Sequence, residues 1–176
     1  MLEAARKVGL PVMPFSASSS ALCTDGCLTS LAHQQVELAL SHDLIPVLHG
    51  DIAFDSVRGG TIISTEEIFS FLAQKLLPSL VLLAGIEDGV LSSWPNGPVI
   101  RSLPLKESED GEAHVIGCHA ADVTGGMRGK VKEAREILQR SAPNCAVVIF
   151  SGNRAGLVER ALLAEDVPGT KISRSG

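Results

Sequence analysis

Aromatic residues make up only 3% of the 176-residue chain, and tyrosine is absent. That scarcity argues against a stacking platform for single-stranded nucleic acid. It leaves the core to be built from Leu, Ile, Val and Ala. Lys/Arg-rich blocks are also missing, and the net charge is −5, so neither a nucleic-acid partner nor an anionic membrane surface is indicated. Long apolar runs are missing as well. Residues 80–84 form a strand-sized run, well short of the roughly 20 residues of a membrane span. The N-terminus lacks the extended apolar segment of a signal peptide. The four cysteines, Cys23, Cys27, Cys118 and Cys145, have no secreted-framework spacing. Reduced thiols and a cytoplasmic location are the expectation. Cys23 and Cys27 lack a second close ligand pair, so no metal site is assigned.

What is present is ordinary globular material, with 45% hydrophobic and 20% charged residues. Its patterning alternates between the two periods. Residues 2–8 read as a helix, followed by a short apolar stretch over 10–15 and a loop over 16–20. Residues 31–40 read as a helix with Leu31, Val36 and Leu38 to Leu40 on a broad apolar face. Strands are predicted at 44–48 and 61–64. Ser64 or Thr65 then caps a helix whose first turn carries Glu66 and Glu67. Ile68, Leu72 and Leu76 give it one stripe, and Pro78 stops it. The run at 79–84 suits a parallel sheet covered on both faces. Residues 92–111 read as loop with a short strand near 99–103. A helix over 127–140, a buried strand over 145–150, a helix over 155–164 and a strand over 170–172 complete the chain. No internal repeat and no domain linker is evident. The implied class is α/β, a three-layer sandwich around a mostly parallel central sheet.

In such sheets ligands sit at the carboxyl ends of strands, which singles out four segments. Leu48-His49-Gly50-Asp51 follows a strand, and Gly50 permits a close backbone approach. The plainer alternative is an ordinary polar turn. Ser64-Thr65-Glu66-Glu67 is a helix entry, where Glu66 is a candidate ordering carboxylate and simple capping is the alternative. Ala84-Gly85-Ile86-Glu87-Asp88-Gly89-Val90 follows the apolar strand, though Asp88-Gly89 also reads as a plain turn. The fourth is Asp122-Val123-Thr124-Gly125-Gly126-Met127, with Lys130 beyond it. Its glycines let amide groups converge on an anion, and the helix dipole adds positive potential. Lys130 contributes a mobile charge suited to a transferring phosphate. It is not a P-loop, because the glycine-to-lysine spacing is one residue short and Val131 replaces the Ser/Thr.

In order, these segments resemble the amino-acid-kinase superfamily and, within it, the isopentenyl phosphate kinases. The resemblance rests on Pro46-Val47-Leu48-His49-Gly50-Asp51, Ile62-Ile63-Ser64, Glu87 to Leu91, Asp122 to Met127 with Lys130, and Gly169-Thr170-Lys171-Ile172. It covers nearly the whole chain, as residues 1–172 with a tail at 173–176. It implies an ATP-dependent phosphotransferase of isoprenoid biosynthesis, with Mg2+ accompanying the nucleotide and a small-molecule phosphate as acceptor. By resemblance, Gly85, Ile86, Gly125, Gly126 and Lys130 meet ATP. Gly50, Asp51, Ser64 and Thr65 line the acceptor side, and Lys130 carries the catalytic charge. A homodimer is compatible with it.

The chain also departs from the family pattern. Its motifs correspond to about the last two-thirds of a family member, without the glycine-rich loop with lysine and the catalytic histidine that precede them. His49 belongs to a different motif. Gly85 and Ile86 stand where the family has Thr-Asp, and Thr65-Glu66 where it has Gly-Asp. An inactive or impaired chain, poorly soluble alone, is the expectation. The alternatives are a non-catalytic nucleotide-binding or dimerisation module of the same fold, or a kinase of uridylate, acetylglutamate, carbamate or fosfomycin.

Overall fold

The computed structural model describes residues 2–93, 96–105 and 126–174. The chain divides into two compact units, Met1–Leu76 and Leu77–Gly176.

The first unit opens with α1 (Leu2–Lys7), then β1 (Val12–Pro14) and a 3-10 turn at Ala17–Ser19. β2 (Leu22–Thr24), β3 (Cys27–Ser30), α2 (His33–Ser41) and β4 (Ile45–Val47) follow. β5 (Asp51–Asp55), β6 (Gly59–Ile63) and α3 (Thr65–Leu76) complete it. β1 and β4 pair in parallel, and a four-stranded sheet runs β3-β2-β5-β6. That sheet is mixed: β2 and β5 are parallel, while β2/β3 and β5/β6 are antiparallel hairpins.

Those hairpins correct the sequence reading, which placed no strand at 22–24, 27–30 or 51–55. Their turn chemistry was available. Asp25 and Gly26 both take positive φ, 50° and 84°, and form the two-residue connection whose twist matches the flanking strands. Gly59, with φ 81°, closes the second turn. The apolar pattern of β5 is short, which hid it. Ala53 is buried while Ile52 and Phe54 face outward.

The core of this unit gathers Ala17, Ala21, Cys23, Leu31, Ala53, Ile63, Ile68 and Leu72. Ile68 and Leu72 are the expected stripe of α3. The broad apolar face expected for α2 narrows to Val36 and Ala39, with Leu38 and Leu40 exposed. Cys23 is buried and Cys27 exposed. Among the described residues no cluster of His, Cys, Asp and Glu is arranged to hold a metal.

The second unit contains β7 (Leu80–Gly85), β8 (Ser102–Pro104), α4 (Gly126–Arg140), β9 (Ala146–Ser151), α5 (Leu157–Leu162) and β10 (Thr170–Ser173). The sheet order is β7-β9-β10-β8. β7/β9 and β8/β10 are parallel, and β9/β10 is antiparallel. α4 buries Val131, Ala134, Ile137 and Leu138, the stripe its period dictates. β9 is buried along nearly its whole length, as an interior strand between β7 and β10. β7 is half-buried rather than covered on both faces, because it lies at the edge of the described sheet. α5 starts at Leu157 instead of 155, since Gly156 takes φ 78° and breaks the helical path. Among the described residues no helix is long and apolar enough to cross a membrane.

Candidate functional site

In the first unit the site candidates converge on one junction. Gly50 lies between β4 and β5, and its N–H donates to Thr65 Oγ1 at 2.9 Å. A methyl group at Gly50 would stand 2.9 Å from the Ile63 carbonyl oxygen and 3.0 Å from the Thr65 nitrogen. The glycine is therefore required by a close approach of two backbone segments. Ser64 caps α3, its Oγ accepting the Glu67 N–H at 3.0 Å. The sequence predicted both halves of this arrangement separately, and the fold joins them.

The acidic residues of this junction differ in their surroundings. Glu66, the candidate ordering carboxylate, is exposed. Its neighbour Glu67 belongs to the scaffold: Oε1 accepts the Leu28 N–H at 2.7 Å and ties α3 to β3. Helix periodicity accounts for this, because Glu67 adjoins the buried Ile68 on the sheet-facing side. Asp51, read as a loop residue, is the first residue of β5. Its carboxylate accepts the Ile52 N–H at 2.8 Å and the Ser18 N–H at 3.4 Å. Hydrogen bonding from the Ser18 side chain, then from the Ile52 N–H, holds its pKa below the usual carboxylate value, and nearby His49 adds to the effect.

A carboxylate missed at the sequence level is Asp55, at the end of β5. It accepts N–H bonds from Gly26 at 2.7 Å, Val57 and Arg58 at 2.8 Å, and Asp25 at 3.2 Å. The Arg58 N–H leads the causes that bring its pKa down to about 2. This residue fastens both hairpin turns and is scaffold. The Asp25-Gly26 signal could have located it, through the partner its turn requires.

In the second unit the candidates sit at the carboxyl ends of two parallel strands. Gly85 closes β7 directly opposite Ser151 of β9, and the Gly152 N–H donates to the Gly85 oxygen at 2.8 Å. Lys130, in the second turn of α4, reaches this strand end. A methyl group at Gly85 would lie 2.7 Å from Lys130 Nζ. The ammonium group therefore occupies the space that a side chain at position 85 would fill. Two residues 45 positions apart, each predicted to meet nucleotide, are thereby brought together. Among the described residues Lys130 makes no ion pair with a carboxylate. Gly126 opens α4 with φ 35°, a conformation suited to glycine. Gly125 lies outside the described residues, as do Asp122, Val123 and Thr124.

Ile86 is 77% exposed, and its carbonyl accepts the Ser151 hydroxyl at 3.1 Å. The closing Gly169-Thr170 pair is structural. Buried Thr170 Oγ1 accepts the Val90 N–H at 2.8 Å and donates to the Ile100 carbonyl at 2.7 Å. Gly169 leaves room for the Ile149 carbonyl oxygen, which a methyl group would meet at 2.6 Å.

The arrangement offers a lysine ammonium at the end of a parallel strand pair, the place where open α/β sheets bind ligands. A model of the amino acid kinase family matches residues 1–151. An isopentenyl phosphate kinase of Methanocaldococcus jannaschii is 36% identical over 141 residues, covering 77% of this chain and 48% of that protein. One from Haloferax volcanii is 35% identical over 171 residues, covering 97% of this chain and 62% of its own length. The chain thus spans about half to three-fifths of the length of these curated relatives. An isopentenyl phosphate kinase known from X-ray structures superimposes with a TM-score of 0.77 at 22% identity, over 97% of this chain and 62% of that one. The fold is accordingly of the amino-acid-kinase type.

Proposed function

Because the chain belongs to the amino acid kinase family, we propose that the protein transfers the terminal phosphoryl group of ATP to isopentenyl phosphate, yielding isopentenyl diphosphate and ADP for isoprenoid supply. The observation that carries the reading is the Lys130 ammonium at the end of β7, in the space left by Gly85. The substrate class follows the relatives, which are named isopentenyl phosphate kinases.

In this reaction an acceptor phosphate oxygen bonds to the γ-phosphorus while the bond to the β-bridging oxygen breaks. Negative charge spreads over the transferring oxygens and grows on the leaving ADP. Lys130 supplies a preorganised positive charge for that build-up. It is a point charge on a flexible stem, able to follow the moving group. Gly126 lets the backbone entering α4 approach the phosphates. Gly50, Asp51, Ser64 and Thr65 are assigned to the acceptor side. Their hydrogen bonds keep that junction in one shape. Mg2+, carried by the nucleotide's own phosphates, would neutralise part of their charge when bound. A cytoplasmic homodimer belongs to the same proposal, and light scattering would test the dimer.

Phosphoryl transfer from ATP, measured against isopentenyl phosphate, uridylate, acetylglutamate, carbamate and fosfomycin, tests the assignment. Turnover confined to isopentenyl phosphate supports it, and preference for another acceptor overturns the substrate. One observation favours a second reading, a non-catalytic nucleotide-binding module. Gly85 and Ile86 give the end of β7 neither a hydroxyl nor a carboxylate. ATP binding without turnover of any acceptor would establish that reading in place of the first.

A further inference from the structure

We propose that Arg154 is a positioning residue for nucleotide binding, acting through Asp88 to clasp the segment that follows β7. The inference rests on the reading that this strand end receives the nucleotide phosphates. The segment 86–88 begins at Gly85, beside the Lys130 ammonium, and is held firmly at both ends. On one side Gly85 pairs with Ser151 and accepts the Gly152 N–H at 2.8 Å. On the other, the Val90 N–H bonds to buried Thr170 Oγ1 at 2.8 Å. Gly89 is packed so closely that a methyl group there would stand 2.8 Å from Val99 Cγ1 and 2.9 Å from Thr170 Oγ1.

Between those anchors the segment is tied to the residues after β9 by two contacts. Ser151 Oγ donates to the Ile86 carbonyl at 3.1 Å. The Arg154 guanidinium donates to and pairs with the Asp88 carboxylate. Arg154 lies three residues beyond the end of β9, and its side chain is 55% exposed against 39% for Asp88. A half-exposed ion pair contributes little to global stability. Its consequence is local, fixing the shape of the loop that leaves the ligand-facing strand end. Arg154 also neutralises Asp88, a carboxylate that would otherwise repel an incoming phosphate.

The test is calorimetric titration of the full chain with Mg2+ and a non-hydrolysable ATP analogue, with thermal unfolding run in parallel. Arg154→Ala should weaken nucleotide binding by about tenfold, in the range of contacts that act through a neighbour. The unfolding midpoint should move by no more than about 2 °C, as expected for an exposed pair. The exchange Arg154→Asp with Asp88→Arg should recover most of the lost affinity. A merely structural pair would lower the midpoint without changing affinity, and an arginine that touched the phosphate directly would not be rescued by the exchange. Unchanged affinity in Arg154→Ala, or failure of the exchange to rescue, overturns the inference while leaving the nucleotide reading intact. No binding by the unsubstituted chain overturns both.

Discussion

The two units use the same kind of glycine for different ends. At Gly50 the missing side chain admits backbone: the Ile63 carbonyl and the Thr65 nitrogen occupy the space a methyl would need. At Gly85 it admits the flexible end of Lys130. The polar groups around Gly50 are largely spent on the scaffold, with Thr65 Oγ1 accepting the Gly50 N–H and Ser64 capping α3. The cation beside Gly85 is not spent in an ion pair among the described residues. At Gly50 the close approach fixes the shape of a junction, and at Gly85 it leaves room for a mobile charge.

The largest effect should come from removing the charge itself. Lys130→Ala should lower kcat/KM for phosphoryl transfer by about 100- to 1000-fold, as loss of one preorganised stabilising group does. Its unfolding free energy should stay within about 0.5 kcal/mol of the parent. A large stability loss with intact turnover would place Lys130 in the scaffold and dissolve the contrast. Next come the two glycines. Gly50→Ala should destabilise by about 1–3 kcal/mol in urea unfolding, because neither backbone segment can yield without straining the helix entry. Gly85→Ala should leave stability nearly unchanged and weaken nucleotide binding, because the Lys130 ammonium is the group that must move. Equal behaviour of the two substitutions would break the comparison.

The cap offers a smaller test. Ser64→Ala should cost about 1 kcal/mol through the lost bond to the Glu67 N–H, read as a shift in denaturation midpoint at constant slope. Asp55 sharpens the same point through pH. Its folded pKa, about 2, lies below the ordinary 3.8. Its contribution is therefore complete above the ordinary value and is lost as pH falls through that interval towards 2. Asp55→Asn should flatten the stability profile between pH 4 and about 2, and an unchanged acid limb would remove Asp55 from the scaffold. Smallest of all should be the outer sheet face of the first unit. Ile52 pairs with Ile62, and Leu22 with Phe54, with all four side chains exposed. Phe54→Ser with Ile62→Thr should change stability by no more than about 0.5 kcal/mol per site while raising solubility, measured by the concentration at which light scattering appears.

Legibility followed signal length. α3 and α4 were readable because their stripes recur over three turns or more, and β9 because it is continuously apolar. β2, β3 and β5 were missed because each is short and partly polar, although Asp25-Gly26 announced the turn between the first two. Of the candidate site residues, the structure places Gly50 beside Thr65 with Ser64 capping α3, and Lys130 beside Gly85. The tie from Glu67 to Leu28 was not legible, because two adjacent carboxylates at a helix start look alike until the helix has a buried face. Asp55 was missed although it accepts the N–H groups of Val57 and Arg58, two and three residues on, while Arg154 had no local signal, since Asp88 lies 66 residues away.

What the sequence by itself determined was the inventory. It placed the α/β alternation, the glycine-rich entry to α4, the lysine beyond it and the ordered motifs of a kinase family, because each is written in residues close together along the chain. Only the tertiary structure decided which of those residues meet. It set Thr65 on Gly50, and it brought Lys130 to the end of β7. The physical reason is that a charge or a hydrogen-bonding group acquires its role from what stands within a few ångströms of it, and strand pairing brings together residues that the chain keeps far apart.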